Sequence, residues 1–189
     1  MRKIVLLEHV SLDAYVGGPN GEMDWINLDE EMFDLIGRLT DEADTALYGR
    51  NTYGMMQAYW PGAADKPGAT RHDVHHSSWY NTVTKLVVSD TLPELQAPDV
   101  RIIRGNNLVP DINAYKKAEG KDVLLIGSPS VARALTANGL IDDYWLFMNP
   151  VILGEGITIF PHQKDRLSLV LADKVLFPCG VIGLHYHKK

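Results

Sequence analysis

Val123-Leu124-Leu125-Ile126-Gly127-Ser128-Pro129-Ser130-Val131 reads as a buried strand that stops at a turn of small residues and hands over to a helix. Four apolar residues in a row, some β-branched, have no polar face, as in a strand covered on both sides in the middle of a largely parallel sheet. Gly127 and Ser128 break the run. Pro129 suits a first helical position because it has no N–H to leave unpaired, Ser128 can cap, and Val131, Ala132 and Leu135 follow at helical spacing. Such a junction aims unpaired backbone N–H groups at whatever lies beyond the strand, which is the chemistry of an anion site. An ordinary βα connection has the same local form, so the rest of the chain has to decide.

A second junction of this kind lies upstream. Thr45-Ala46-Leu47-Tyr48 is a short strand, and Gly49-Arg50-Asn51-Thr52-Tyr53 opens a helix. Gly49 permits close approach of the backbone to a ligand, and Asn51 or Thr52 can cap. Arg50 opposes the positive end of the helix dipole. A bound anion resolves that conflict, and the planar guanidinium is suited to hold one; a solvated surface arginine is the competing reading.

Outward from these two points, Lys3–Val10 is a strand ending in Glu8-His9, followed by a loop from Ser11 to Gly21 that is either a lid or a connector. A helix is expected from Leu28 to Leu39, capped by Asp29, with Met32, Leu35, Ile36 and Leu39 as its apolar stripe. Strands are expected at 85–89, 100–103 and 141–151, and a helix at 111–119. The last two strands, about 167–177 and 181–187, pair as an antiparallel hairpin across Pro178-Cys179-Gly180. The sum is about eight strands and four helices: an α/β fold with a mostly parallel eight-stranded sheet and an antiparallel edge, read as one domain over 1–189. Ligands of such sheets bind beyond the carboxyl ends of the strands, where Gly49-Arg50, Ser89 and Gly127-Ser128 collect.

Composition narrows the function. The 189 residues carry a net charge of −6 with 46% hydrophobic and 22% charged residues, an ordinary globular balance. Without a basic cluster beyond Lys188-Lys189, nucleic acid is not an expected partner. No apolar run approaches a membrane span, no secretory signal is read at the N-terminus, and the single Cys179 suits a reducing compartment, so a cytoplasmic location is expected. His72 and His76 would share a helix face, but no further ligands accompany them at metal-site spacing; packing or surface roles are expected and no metal.

Taken together, these motifs resemble the dihydrofolate reductase-like superfamily, in particular the reductase domain of riboflavin-biosynthesis deaminase/reductases and its stand-alone bacterial relatives. Ser11-Leu12-Asp13-Ala14-Tyr15-Val16-Gly17 is similar to that family's Ser-x-Asp-Gly-x-Ile loop, and Met23-Asp24-Trp25 to the Met-Pro-Trp that follows it in dihydrofolate reductases. Gly49-Arg50-Asn51-Thr52-Tyr53 resembles Gly-Arg-x-Thr-Tyr/Trp. Ile126-Gly127-Ser128 stands where the family has a Gly-Gly turn, and Pro150–Phe160 resembles Pro-Val-x-Leu-Gly-x-Gly-x-x-x-Phe.

The resemblance implies hydride transfer from NADPH to a small pterin- or pyrimidine-type heterocycle, and a homodimer. It places Gly49, Arg50 and Thr52 on the cofactor phosphates, with Arg50 at the 2′-phosphate, and Ser89 on the adenosine side. Gly127, Ser128, Ser130 and Val131 would receive the pyrophosphate. Val16 and Gly17 would lie against the nicotinamide, near the His9 backbone. Glu31 is the implied catalytic carboxyl, anchoring the ring and assisting protonation if burial raises its pKa, and Asp13 is the other candidate. Ala14 and Ser128 stand where the family has glycine, and Asp90 adds a negative charge beside an expected phosphate. The competing functions are a nucleotide- or small-molecule-binding protein without turnover, a metal-dependent hydrolase, and a purely structural oligomer.

Overall fold

The computed structural model describes residues 1–94, 97–160 and 166–189. Eight strands form one sheet: β1 (Ile4–Val10), β3 (Ala43–Gly49), β4 (Thr84–Val88), β5 (Val100–Ile103), β6 (Asp122–Ile126), β7 (Asp143–Met148), β9 (Leu169–Leu176) and β10 (Ile182–Lys188). Their spatial order is β5-β4-β3-β6-β1-β7-β10-β9. All neighbouring pairs from β5 to β7 are parallel, whereas β10 runs antiparallel to both β7 and β9. A second sheet pairs β2 (Tyr15–Gly17) with β8 (Ile157–Thr158).

The uniformly apolar runs sit where covering on both sides demands them. β6 lies between β3 and β1, and Val123, Leu124 and Leu125 are all fully buried. Alternation along β1 divides the core. Ile4 and Leu6 join the cluster that also holds Val131, Leu135 and Tyr144, whereas Val5 and Leu7 join the one holding Met32, Ile36, Trp79 and Phe147.

Five α-helices are present among the described residues: α1 (Glu30–Asp41), α2 (Arg50–Tyr59), α3 (Arg71–Thr82), α4 (Leu108–Lys117) and α5 (Pro129–Ala137). The one beyond the expected four is α3. Its signal is local, since Thr70 and Asp73 form a reciprocal capping box. Its apolar face is built from rings: His72 stacks on Phe33 with centroids 4.1 Å apart, and His76 lies 4.0 Å from Trp60. Burial drives His76 down to a pKa of about 3, so the neutral imidazole packs as an aromatic.

The chain runs from β1 outward through β3, β4 and β5, then returns to insert β6 between β1 and β3 before crossing to β7. Open α/β sheets bind their ligands in a crevice at such a reversal, which here falls at the carboxyl ends of β3, β6 and β1.

Candidate functional site at the carboxyl ends of the strands

The two strand-to-helix junctions face each other across this crevice. The Gly49 N–H donates to Ser128 Oγ at 2.9 Å, joining the end of β3 to the turn after β6. A side chain at Gly49 would meet Val131 Cγ2 at 3.3 Å and Ser130 Oγ at 3.7 Å, and one at Gly127 would meet Thr52 at 3.5 Å. A side chain at Gly49 would thus press on Val131, whereas at Gly127 it is the positive φ of 58° rather than space that favours glycine. Gly127 (φ 58°) and Ser128 (φ 62°) are both left-handed, which reverses the chain sharply enough for α5 to start immediately. The resulting helix begins with Pro129, and the N–H groups of Ser130 and Val131 belong to its first turn, which an α-helix leaves without intrahelical partners. Gly127 contributes no free donor, because its N–H is bonded to the Leu7 carbonyl at 3.2 Å.

At the β4 side of the crevice, Arg50 is exposed and donates to Thr91 Oγ1 at 3.0 Å. Ser89 is buried; its hydroxyl accepts from the N–H groups of Thr91 and Leu92 at 3.2 and 2.9 Å. Ser89 thereby shapes the loop that Arg50 reaches. Asp90 accepts from the Gly105 N–H at 2.8 Å, which engages the negative charge on the β5 side. Arg104, unremarked in the sequence, donates to the Ser89 and Leu92 carbonyls, both at 2.8 Å, and pairs with Glu94. Its position directly after a strand, before a glycine, was the available signal.

The β1 end forms another wall. His9 stacks on Phe147 with centroids 5.0 Å apart, and burial pushes its pKa down to about 4. Val16 is buried in the same apolar cluster as Val10, Val131 and Leu146. Gly17 lies in β2, so tightly against Gly156 that a side chain there would come within 2.2 Å of the Gly17 carbonyl oxygen. The 11–21 loop is therefore laced to the 151–158 segment. Asp13 supplies much of the lacing: it accepts from Ser11 Oγ at 2.6 Å and from the N–H groups of Leu153 and Gly154 at 3.1 and 2.8 Å. The Ser11 hydroxyl foremost, and then those amides, hold the Asp13 carboxyl below the usual carboxylate range.

Glu31 occupies the first turn of α1 and is exposed; the neighbouring Met32 is the residue that turns inward, 0% exposed. The start of α1 is tied to the crevice end of the sheet. The Asn27 N–H donates to Asn149 Oδ1 at 2.8 Å, and Asp29 both caps the helix and accepts from the Cys179 N–H at 2.9 Å. Asn149, fully buried, further donates to the Phe147 carbonyl and lies 3.4 Å from His9 Nδ1. Sequence reading passed over it, although a polar residue between a buried strand and Pro150 marks a strand end. A separate groove of about 760 Å³, lined by Glu30, Phe33, Arg38 and Arg71 among others, lies between α1 and α3 and includes none of the expected site residues.

Gly49 therefore lies beside Ser128, Ser130 and Val131, and Gly127 beside Thr52, with Arg50 and Ser89 toward β4 and His9, Val16 and Gly17 toward β1. Asp13 faces the 153–154 turn, and Glu31 stands on α1. Among the described residues no helix is long and apolar enough to cross a membrane.

Comparison with known proteins places this architecture. The YyaP protein of Bacillus subtilis (strain 168), itself described as uncharacterized, is 32% identical over 98% of this chain and 95% of its own length. A pyrimidine reductase-like protein from Corynebacterium diphtheriae superposes with a TM-score of 0.70 at 16% identity, covering 100% of this chain and 92% of that one. Dihydrofolate reductase from Enterococcus faecalis, complexed with NADP(H) and RAB-propyl, gives a TM-score of 0.59 at 17% identity over 99% and 96% of the two chains. These two likenesses establish the fold. The family described as the RibD C-terminal domain matches residues 2–182, and the chain belongs to that family.

Proposed function

We propose that the protein is an NADPH-dependent oxidoreductase that transfers a hydride to a small pterin- or pyrimidine-type heterocycle. The observation that carries this reading is the approach of the two junctions through the Gly49 N–H to Ser128 Oγ bond. Two helix N-termini, those of α2 and α5, meet there, with Gly49 where a side chain would press on Val131. Such a cradle fits a pyrophosphate, since the first-turn N–H groups supply donors and the helix dipoles favour negative charge by about 0.3–1 kcal/mol each. When bound, the cofactor supplies the hydride.

The chain's own residues hold and orient. Ser130 and Val131 offer backbone donors to the pyrophosphate, and Thr52 stands against Gly127 at the mouth of the turn. Arg50, which reaches the loop that Ser89 and Arg104 shape, would hold the 2′-phosphate of the adenosine end. Val16, Gly17 and the His9 backbone wall the nicotinamide end. Of the two carboxyls, Asp13 is already engaged by three donors, whereas Glu31 has no recorded partner among the described residues. Glu31 is therefore the one free to accept hydrogen bonds from ring N–H groups of the substrate. The resemblance implies a homodimer, and one is proposed here too, with the largely exposed edge strand β9 as the open flank.

Steady-state loss of NADPH absorbance in the presence of dihydropterins and of amino-pyrimidines tests the activity. Turnover with at least one class is expected; NADPH binding with no turnover on either would contradict it. A second reading, binding of the dinucleotide without chemistry, draws on the exposure of Glu31, which leaves that carboxyl open to water rather than enclosed in a reaction site. Saturable NADPH binding without oxidation would select it.

A further inference from the structure

At the opposite end of the sheet from the crevice, three side chains of metal-ligating chemistry converge. Asp143 opens β7. His185 and His187 lie two residues apart near the end of β10, so both imidazoles stand on one face of that strand. The antiparallel register sets His187 directly opposite Asp143, and His185 opposite Trp145. One donor atom from each of the three lies within 4.8 Å of the other two. Both rings point at a single carboxylate oxygen: His185 Nε2 is 2.9 Å from Asp143 Oδ1, and His187 Nδ1 touches the same atom.

The donors are held in place. Asp143 is 3% exposed. The His185 ring stacks on the Trp145 indole with centroids 4.5 Å apart and planes 11° apart, and it meets His187 edge-on at 4.6 Å. Lys3 Nζ already pairs with the other oxygen, Asp143 Oδ2, at 3.1 Å. The buried carboxylate thus has its counter-charge, and two imidazoles on its remaining oxygen exceed what charge pairing requires.

We propose that Asp143 Oδ1, His185 Nε2 and His187 Nδ1 form a binding site for a divalent transition-metal ion of the zinc class. Two imidazoles and one carboxylate match the ligand preference of such ions, leaving a fourth position for water, whereas Mg²⁺ and Ca²⁺ favour all-oxygen shells of six or more. Lys3 would orient the carboxylate from its free oxygen, and its positive charge would weaken the affinity relative to a site without it. The ion would clamp β10 to β7, its antiparallel neighbour. This site is independent of the reductase reading.

The test uses the full chain, freed of metal by chelation and dialysis. Calorimetric titration with Zn²⁺ is expected to give one ion per chain, and Co²⁺ to give visible d–d bands that Zn²⁺ abolishes. Cu²⁺ is expected to quench tryptophan fluorescence through Trp145, a quench lost in Trp145→Phe. His185→Ala and His187→Ala should each weaken Zn²⁺ binding by about tenfold or more, whereas His75→Ala, on the α1–α3 side, should leave it unchanged. In the unaltered chain, where folding is not in question, Zn²⁺ should shift the imidazole NMR signals of His185 and His187 and spare those of His72, His75 and His76. Absence of stoichiometric binding, or binding that survives both histidine substitutions or shifts only the other histidines, would overturn the site.

Discussion

The two ends of the central sheet are built from opposite chemistry. At the amino ends of the strands, charges are buried and answered. Arg2, 6% exposed, pairs with Asp44 and stacks over Tyr115, Lys85 pairs with Asp99 at 2.6 Å, and Lys116 with Asp142 at 2.5 Å. At the carboxyl ends, full charges give way to glycines, hydroxyls and first-turn N–H groups, with Arg50 exposed at the rim. The buried cations of the first end are answered by carboxylates of the protein, whereas the second presents small residues and the first turns of two helices. The difference teaches which end suits the phosphates of a dinucleotide, and it leaves the Asp143–His185–His187 cluster of the amino end to a cation.

The comparison can be broken by substitutions that should act at one end only. The largest effect is expected at the amino end. Asp142→Ala leaves the buried Lys116 ammonium, among the described residues, with the Leu140 carbonyl alone, and also removes the acceptor of the Ile4 N–H. A loss of about 3 kcal/mol in denaturant unfolding is expected, with unchanged NADPH affinity. A weakened affinity of the refolded variant would show that the two ends are not separable.

Glu8 is the exception that sharpens the contrast. It lies toward the carboxyl end of β1, buried, with Oε2 lacking a hydrogen-bond partner among the described residues, and burial pushes its pKa from 4.5 up to about 8. The folded chain therefore holds this proton more tightly than the unfolded chain. The contribution to stability is complete below the unfolded value and is lost as pH rises through the folded one. Glu8→Gln should accordingly stabilise by on the order of 2 kcal/mol at about pH 8.5 and by little at about pH 4, measured by urea unfolding at both. Equal effects at the two pH values would mean that Glu8 is solvated.

Ala14 gives a smaller effect. It holds φ at 64°, a conformation that only glycine adopts freely, inside the loop laced by Asp13. Ala14→Gly should stabilise by about 1 kcal/mol, and a loss of stability would mean that the methyl group's packing outweighs the strain. Smallest of all, Glu31→Gln should move stability by less than about 0.5 kcal/mol, as an exposed side chain does, while depressing turnover and sparing cofactor affinity. Unchanged turnover would leave Asp13 or water as the proton source.

The eight strands were legible because their signals are local: continuous apolar runs for β1, β4 and β6, and the Pro-Cys-Gly turn for the final hairpin. Both junctions were legible for the same reason. That they face each other was not, because Gly49 and Ser128 meet only once β6 has inserted between β3 and β1. Asp13 shows the opposite case. Its residue type fits a catalytic acid, but its role in holding the loop depends on amides from residues 153 and 154, far away in the chain. Likewise, His185 and His187 acquire meaning from Asp143 across the register of two strands, which no spacing within either segment reveals. α3 was missed as a certain helix because its inward face is made of histidines and tryptophan, which dilute an apolar stripe.

The most direct measurement is calorimetric titration of NADPH and of NADH into the native chain and into Arg50→Ala. If the crevice holds the dinucleotide with Arg50 at its 2′-phosphate, the substitution should weaken NADPH by about tenfold or more, roughly 1.4 kcal/mol, and leave NADH nearly unchanged. Equal weakening of both, or no binding of either to the native chain, would contradict the account.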